Sequence, residues 1–348
     1  MTGSSTWSAA GELARIVEEQ GSSGMLYTET GQVPWMQIAA AAIAAPSLTF
    51  TTGIAVAFPR SPMVSAQVAW ELAGETNGRF RLGLGSQVKG HVVRRYSAEF
   101  DHPARRLQDY VNAVKACFRA FRGEERLSHE GEFYNLSLLP DAWKPRSHDF
   151  GDIKIDISSV GPIMNKVAGE VADGVHVHPM HSMHYIQNRL LPEVAEGAQR
   201  SGRDVSDIDL IVPVFAVAGD SPEERAPWVH RAKTQIAFYG TTPNYAFQFE
   251  DLGFEGVTKA LGDKMKAGDM QGMADTISDE MLDHFALVSP WDEMADRLKE
   301  RYSSTASRVV MYLTEAVSYT HLRAHETRED RGWGGRGEKK KGGGGGGG

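Results

Sequence analysis

Apolar segments of two different periods take turns along most of the chain, and that alternation limits the fold more than any single motif. "STWSAAGELARIVEEQGSS" repeats apolar residues at helical spacing and closes on glycine, whereas "GMLYTET" is a short extended run ending at Glu29. "PWMQIAAAAIAA" then reads as a helix with Pro34 suited to its first turn. "LTFTTGIAVAF" is β-branched and extended, and "PRSPMVSAQVAWELAGETNG" starts on proline and stops on glycine as a helix does. The rhythm continues through a strand in "RFRLGLG", a long helix in "HPARRLQDYVNAVKACFRAFRG" and a small hairpin in "LSHEGEFYNLS". It resumes with strands in "IKIDISS", "VHVHP", "IDLIVPVFAVAG" and "SRVVMYLT", each separated from the next by helical pattern.

About seven strands alternating with helices predict parallel βαβ units. The body carries no linker or shift in composition. The expectation is therefore an α/β fold: a single (β/α)8 TIM-like barrel over residues 1–316, with a helix-rich insertion before the last strand. A full barrel wants a strand before the first helix, and "MTGSSTW" is a poor one, so the first strand is expected to be degenerate or truncated.

Residues 317–348 break the pattern. They hold 11 of the 37 glycines, and their seven Lys/Arg and four Asp/Glu leave a charge of −11 on the preceding 316 residues. "VSYTHLRAHET", followed by "KKK" and "GGGGGGG", resembles a translated sequencing adaptor with homopolymer read-through, so 317–348 are expected to be a non-native, disordered tail. The acidic body argues against nucleic-acid binding, which needs a basic face. The most apolar run is interrupted by Pro46 and by Ser/Thr, so no membrane span is expected. One cysteine, Cys117, sits among Val111, Val114, Phe118 and Phe121 at helical spacing and is expected to pack; its solitude fits a reducing cytoplasm.

In such barrels the loops at the C-terminal ends of the strands build the site. Those ends carry Glu29-Thr30, then Gly53 to Phe58, then "GLGSQVKGH" (Gly83 to His91), "ISSVGP" and "HVHPMH". The glycines of "GLGSQVKGH" either let a flat ring or phosphate approach the backbone or simply make a turn. In "ISSVGP", Ser158 and Ser159 precede a helix starting near Pro162, which forms either an anion site or an ordinary cap. His176, His178, His181 and His184 lack an evident further ligand, so no metal is expected. Arg79, Arg81, Lys89, Arg94 and Arg95 form a basic stretch that could attract an anionic cofactor or be a solvated face.

The stretch "GIAVAFPRSPMVSAQVAWELAGETNGRFRLGLGSQVKGH", with "AGEVADGVHVHP" further on, resembles the bacterial-luciferase-like flavin and deazaflavin oxidoreductases, most closely their coenzyme F420-dependent branch. The resemblance runs over roughly residues 8–315. It implies a TIM-like barrel, a homodimer, and a flavin or deazaflavin at the C-terminal mouth acting on a small organic substrate. It also implies a cis peptide at Gly53–Ile54 supporting the ring, with Gly85, Ser86 and Gln87 lining it and Ser158, Ser159, Val160 and Gly161 on the cofactor phosphate. The expected activity is hydride transfer between reduced F420 and substrate. The alternatives are a reduced-FMN-dependent monooxygenase and a non-catalytic flavin- or deazaflavin-binding homologue. Where the family commonly follows the acidic residue with a histidine, this chain has Thr30 and Gln32. Glu29, His178 and His91 remain as candidates for proton transfer.

Overall fold

The computed structural model of the chain describes residues 5–312. The first described element is helix α1 (Trp7–Glu19), and the segment 317–348 lies outside the described residues. Eleven strands follow among the described residues: β1 (Gly24–Tyr27), β2 (Thr49–Thr52), β3 (Ala55–Val56), β4 (Phe80–Gly85), β5 (His129–Glu130), β6 (Asn135–Leu136), β7 (Ile155–Ser159), β8 (Gly174–Val177), β9 (Asp209–Ala218), β10 (Ala286–Ser289) and β11 (Arg308–Tyr312). Apart from the antiparallel hairpin β5–β6, every pairing is parallel.

Nine strands form one sheet in the order β1-β2-β4-β7-β8-β9-β10, with β3 added on β4 and β11 on β9. Each crossover is filled by helix: α2 (Pro34–Ala44), α3 (Pro62–Glu75), the short α4 (Lys89–Arg94), α5 (Pro103–Phe121) and α6 (Pro162–Val171). The α/β architecture is the one that the alternation predicts. Among the described residues the ladders run from β1 round to β10 and β11, and no pair joins β11 to β1.

The packing follows from strand geometry, in which successive side chains face opposite sides. Leu82, Leu84, Ile155, Ile157, Val175 and Val177 belong to the same core as Trp70, Tyr110, Val114, Phe118 and Val167 of the covering helices. In α5 the buried Leu107, Val111, Val114 and Phe118 recur at three- and four-residue steps, which makes it amphipathic. Cys117 lies in that face, and burial pushes its thiol up to about 12, so it packs as a small apolar group.

The predicted insertion is helical from Pro222–Gly240 through Asp279–Phe285. It carries a second core in which Ile236, Phe249, Leu261 and Phe285 pack with Phe215 and Val217 of β9 and with Met180. The insertion is therefore fastened to the end of the sheet that holds the strand termini. No helix among the described residues is long and apolar enough to cross a membrane.

Candidate active site

The loops leaving β1, β2, β4, β7 and β8 carry most of the residues singled out above. The Gly53–Ile54 peptide is cis. Beside it the chain runs unusually close to its neighbours. A Cβ on Gly85 would stand 2.5 Å from Ser158 Oγ and 2.8 Å from Ile54 Cδ1. Three strand ends thus meet at one point that only a glycine permits, joining Ile54, Gly85 and Ser158. One layer deeper, a Cβ on Gly83 would stand 1.8 Å from the Thr52 carbonyl oxygen and 2.7 Å from His176 Nε2. The Thr52 hydroxyl fills the remaining space by accepting from Gly83 N–H (2.9 Å) and donating to Gly83 O (2.7 Å).

Past Gly85 the chain turns sharply. Gln87 adopts a left-handed φ of 58° and accepts Val88 N–H on its own Oε1 (2.9 Å). The Ser86 hydroxyl donates to Gln87 O at 3.3 Å.

After β7, Gly161 caps α6 without a side-chain hydrogen bond, and no atom would meet a Cβ placed on it. The residue before it is tied back: Tyr185 Oη donates to Val160 O at 2.7 Å. Ser159 is buried, and its hydroxyl has no partner among the described residues. Free N–H groups of a helix start, an open glycine and an unspent hydroxyl together suit an anionic group.

Glu29 presents the opposite case. Its carboxylate takes both Arg60 guanidinium arms (2.7 and 2.8 Å), the Val56 N–H (2.8 Å) and the Tyr96 hydroxyl (3.2 Å). Arg60 also donates to Val56 O at 2.8 Å, so one ion pair clamps β3 beside the cis peptide. The neighbouring positions serve structure as well. Gln32 Oε1 accepts from Gln37 Nε2 (2.7 Å), and the Thr30 carbonyl accepts from Arg95.

His178 follows β8. Its Nδ1 accepts Met180 N–H at 3.1 Å, so the neutral ring carries its proton on Nε2, which no described residue binds. The half-buried ring lies against Tyr239 (4.6 Å between centroids, T-shaped) and Tyr245 (4.7 Å) of the insertion. Burial lowers its pKa to about 4, and lowers that of buried His181 to about 4 as well. His91 is exposed on α4, and no hydrogen bond, ion pair or ring contact joins it to Glu29 or His178.

Within the basic stretch, Lys89, Arg94 and Arg95 are exposed, and only Arg81 is held in ion pairs among the described residues. Arg81 is buried and paired with Asp156 (2.6 and 2.9 Å) and Asp209 (2.7 Å), whose charges outweigh the cost of burying it and raise its pKa. His176 Nε2 stands 3.6 Å from Asp156 Oδ2 without a hydrogen bond, and burial lowers its pKa. Among the described residues no cluster of three His, Cys, Asp or Glu could hold a metal ion. A cavity of about 430 Å³ lies within the insertion, lined in part by Phe249, Val257 and Thr258. Its Lys259 and Lys266 both pair with Asp263, and none of the strand-end residues lines it.

Sequence reading alone missed Arg60, Tyr96, Tyr239 and Tyr245 as parts of this mouth. The signal for Arg60 was its place two residues before the proline that opens α3. The signal for the tyrosines was the aromatic density of "AFYGTTPNYAF", flanked by turn residues.

A model of the luciferase-like monooxygenase family matches residues 1–308. An uncharacterized protein of Mycobacterium tuberculosis is 35% identical over 301 residues, 86% of this chain and 88% of that protein. The 5,10-methylenetetrahydromethanopterin reductase of Methanolobus tindarius is 23% identical over 303 residues, 85% of this chain and 87% of that one. Among solved structures, the coenzyme F420-dependent tetrahydromethanopterin reductase of Methanopyrus kandleri superposes with a TM-score of 0.72 at 18% identity, covering 88% of this chain and 89% of that chain. That last likeness is one of fold.

Proposed function

The chain belongs to the luciferase-like monooxygenase family, and from that premise we propose that it is an oxidoreductase using the reduced deazaflavin coenzyme F420 on a small organic substrate. The observation that carries this reading is the meeting of three strand ends at Ile54, Gly85 and Ser158, packed so closely that only glycine fits at 85. The similarity to F420-dependent reductases favours the deazaflavin.

Bound there, the coenzyme would supply hydride chemistry; the protein supplies position and hydrogen-bond donors. Ile54 and Gly85 support the ring, and Ser86 and Gln87 line its edge. Ser158, Ser159, Val160 and Gly161 hold the phosphate through backbone N–H groups and the unspent Ser159 hydroxyl. Glu29 is assigned a positioning role, because its carboxylate is already filled by Arg60, Val56 and Tyr96 and fixes the strand beside the cis peptide. His178 is the preferred hydrogen-bond donor to a substrate oxygen, since Nε2–H has no partner among the described residues and the ring, neutral down to about pH 4, polarises that oxygen without giving up its proton. His91, exposed on α4, drops behind it.

A reduced-FMN monooxygenase is the second reading, favoured by the family description itself. Titrating the purified protein with F420 and with FMN, followed by fluorescence quenching, tests the choice. Tight binding of F420 with weak FMN binding is expected. Tight binding of FMN alone would overturn the cofactor assignment, and binding of F420 with no turnover of any substrate would leave a binding protein.

A further inference from the structure

The insertion does more than cover the sheet. Its segment Pro243–Tyr245 runs into the helical turn Phe247–Glu250, and Tyr245 brings its ring to 4.7 Å from His178. The two tyrosines on His178 differ in one respect. Tyr239 shares its hydroxyl with Tyr312 at 3.2 Å, whereas the Tyr245 hydroxyl bonds to no described residue. Tyr245 is only half-buried, so that hydroxyl is open to a ligand.

His178 Nε2–H and Tyr245 O–H are thus two neutral donors, one from the loop after β8 and one from the insertion, packed ring to ring with no acceptor for either among the described residues. The nearby Arg189 is bound in bidentate fashion to Asp251 (2.6 Å on one arm) and offers no free charge. The His178–Tyr245 pair offers an anion two hydrogen bonds and no charge, and Arg189 is already matched by Asp251, so little offsets the lost hydration. An uncharged oxygen acceptor fits.

Resting on the functional reading above, we propose that Tyr245 is a substrate-contacting residue which, with His178, holds the oxygen of an uncharged carbonyl compound. The aromatic packing fixes both donors before the ligand arrives, so little ordering entropy is lost on binding.

The test uses F420-saturated protein titrated with cyclohexanone, and with cyclohexanecarboxylate as the charged counterpart. Wild type is expected to bind the ketone more tightly than the carboxylate. Tyr245→Phe, which keeps the ring and removes only the hydroxyl, should weaken ketone binding by about tenfold while leaving F420 affinity unchanged. Tyr239→Phe, whose hydroxyl is engaged with Tyr312, should stay within about twofold of wild type. If Tyr245→Phe melts early, Tyr245→Met fills the same space without a donor and takes its place. Unchanged ketone affinity in the Tyr245 variant, or tighter binding of the carboxylate, overturns the proposal while F420 binding still supports the functional reading. Failure of wild type to bind F420 or FMN overturns both.

Discussion

Glu29 and His178 each follow a strand of the same parallel sheet, yet the polar atoms of the two are treated in opposite ways. The loop after β1 ends in a carboxylate with every oxygen occupied by Arg60, Val56 or Tyr96. The loop after β8 carries an imidazole with one nitrogen engaged and the other without a partner among the described residues. A saturated acid is a fastening: taking up a proton or a ligand would cost it bonds that already exist. An enclosed donor without an acceptor has binding capacity left. Residue type alone makes glutamate and histidine equal candidates for proton transfer, and it is the accounting of hydrogen bonds that separates them.

The largest effect should come from breaking the fastening. Arg60→Ala leaves a Glu29 side chain only 2% exposed without its cation, and removal of one partner of such a pair costs about 3–5 kcal/mol. Urea unfolding would measure it. The double variant Glu29→Gln, Arg60→Met should recover much of that loss, because replacing both partners removes the buried charge. A single-variant cost under about 1 kcal/mol, as for an exposed ion pair, would break the contrast between the two loops.

Next in size is the close packing that the fastening supports. In Gly85→Val the new Cβ would lie 2.5 Å from Ser158 Oγ and 2.8 Å from Ile54 Cδ1. Overpacking of this kind costs about 1–3 kcal/mol, and the bulk projects into the proposed cofactor site, so F420 affinity should fall by roughly tenfold or more. Fluorescence titration reads that loss, and wild-type affinity would place the ring elsewhere.

His178→Gln should do the reverse of Arg60→Ala. Stability should change by only about 1 kcal/mol, because one backbone N–H and two ring contacts are lost. Turnover should drop by about a hundredfold if the neutral ring polarises the substrate oxygen through its Nε2–H. A large stability loss with turnover retained per folded molecule would make His178 a fastening too.

Much of this architecture could be read from the chain because its signals are local. The β-branched run at 49–56 and the proline-opened helices at 34 and 62 announce themselves within a few residues. The glycines of β4 also stood out, and their purpose is the close approach at Gly83 and Gly85. What stayed hidden depends on partners far apart in the chain. Arg60 meets Glu29 across 31 residues, and Arg81 meets Asp156 across 75. The basic stretch "RFRLGLG" therefore suggested a lure for anions, although Arg81 lies inside the sheet with its charge already matched. A charged residue alternating with Phe80 and Leu82 in a strand buried on both faces was the available clue: such a charge needs a buried partner, and "IKIDISS" holds one in Asp156. Tyr245 lay beyond reach for a different reason. Helical pattern places the insertion in the chain but says nothing about which of its residues return to the strand ends.

The smallest expected effect is a difference in slope with pH, and it tests whether the β8 loop is as enclosed as its aromatic contacts imply. His178 has a pKa of about 4 in the folded protein against the ordinary 6.5, as burial disfavours the charged ring, and His181 shares that shift. As pH falls below about 6.5 the unfolded chain therefore binds protons first. The stability that depends on neutral rings is fully present above that value and drains away as the pH falls toward about 4. Buried His176 is shifted the same way, so His178→Gln removes one of three such groups. Its urea midpoint should fall less steeply than that of wild type between pH 6.5 and 5, with the remaining histidine slope belonging to His181 and His176. Parallel slopes for the two proteins would mean that the His178 ring protonates as freely folded as unfolded. The loop after β8 would then be open to water, and its free Nε2–H would hold solvent where the contrast with Glu29 requires a substrate.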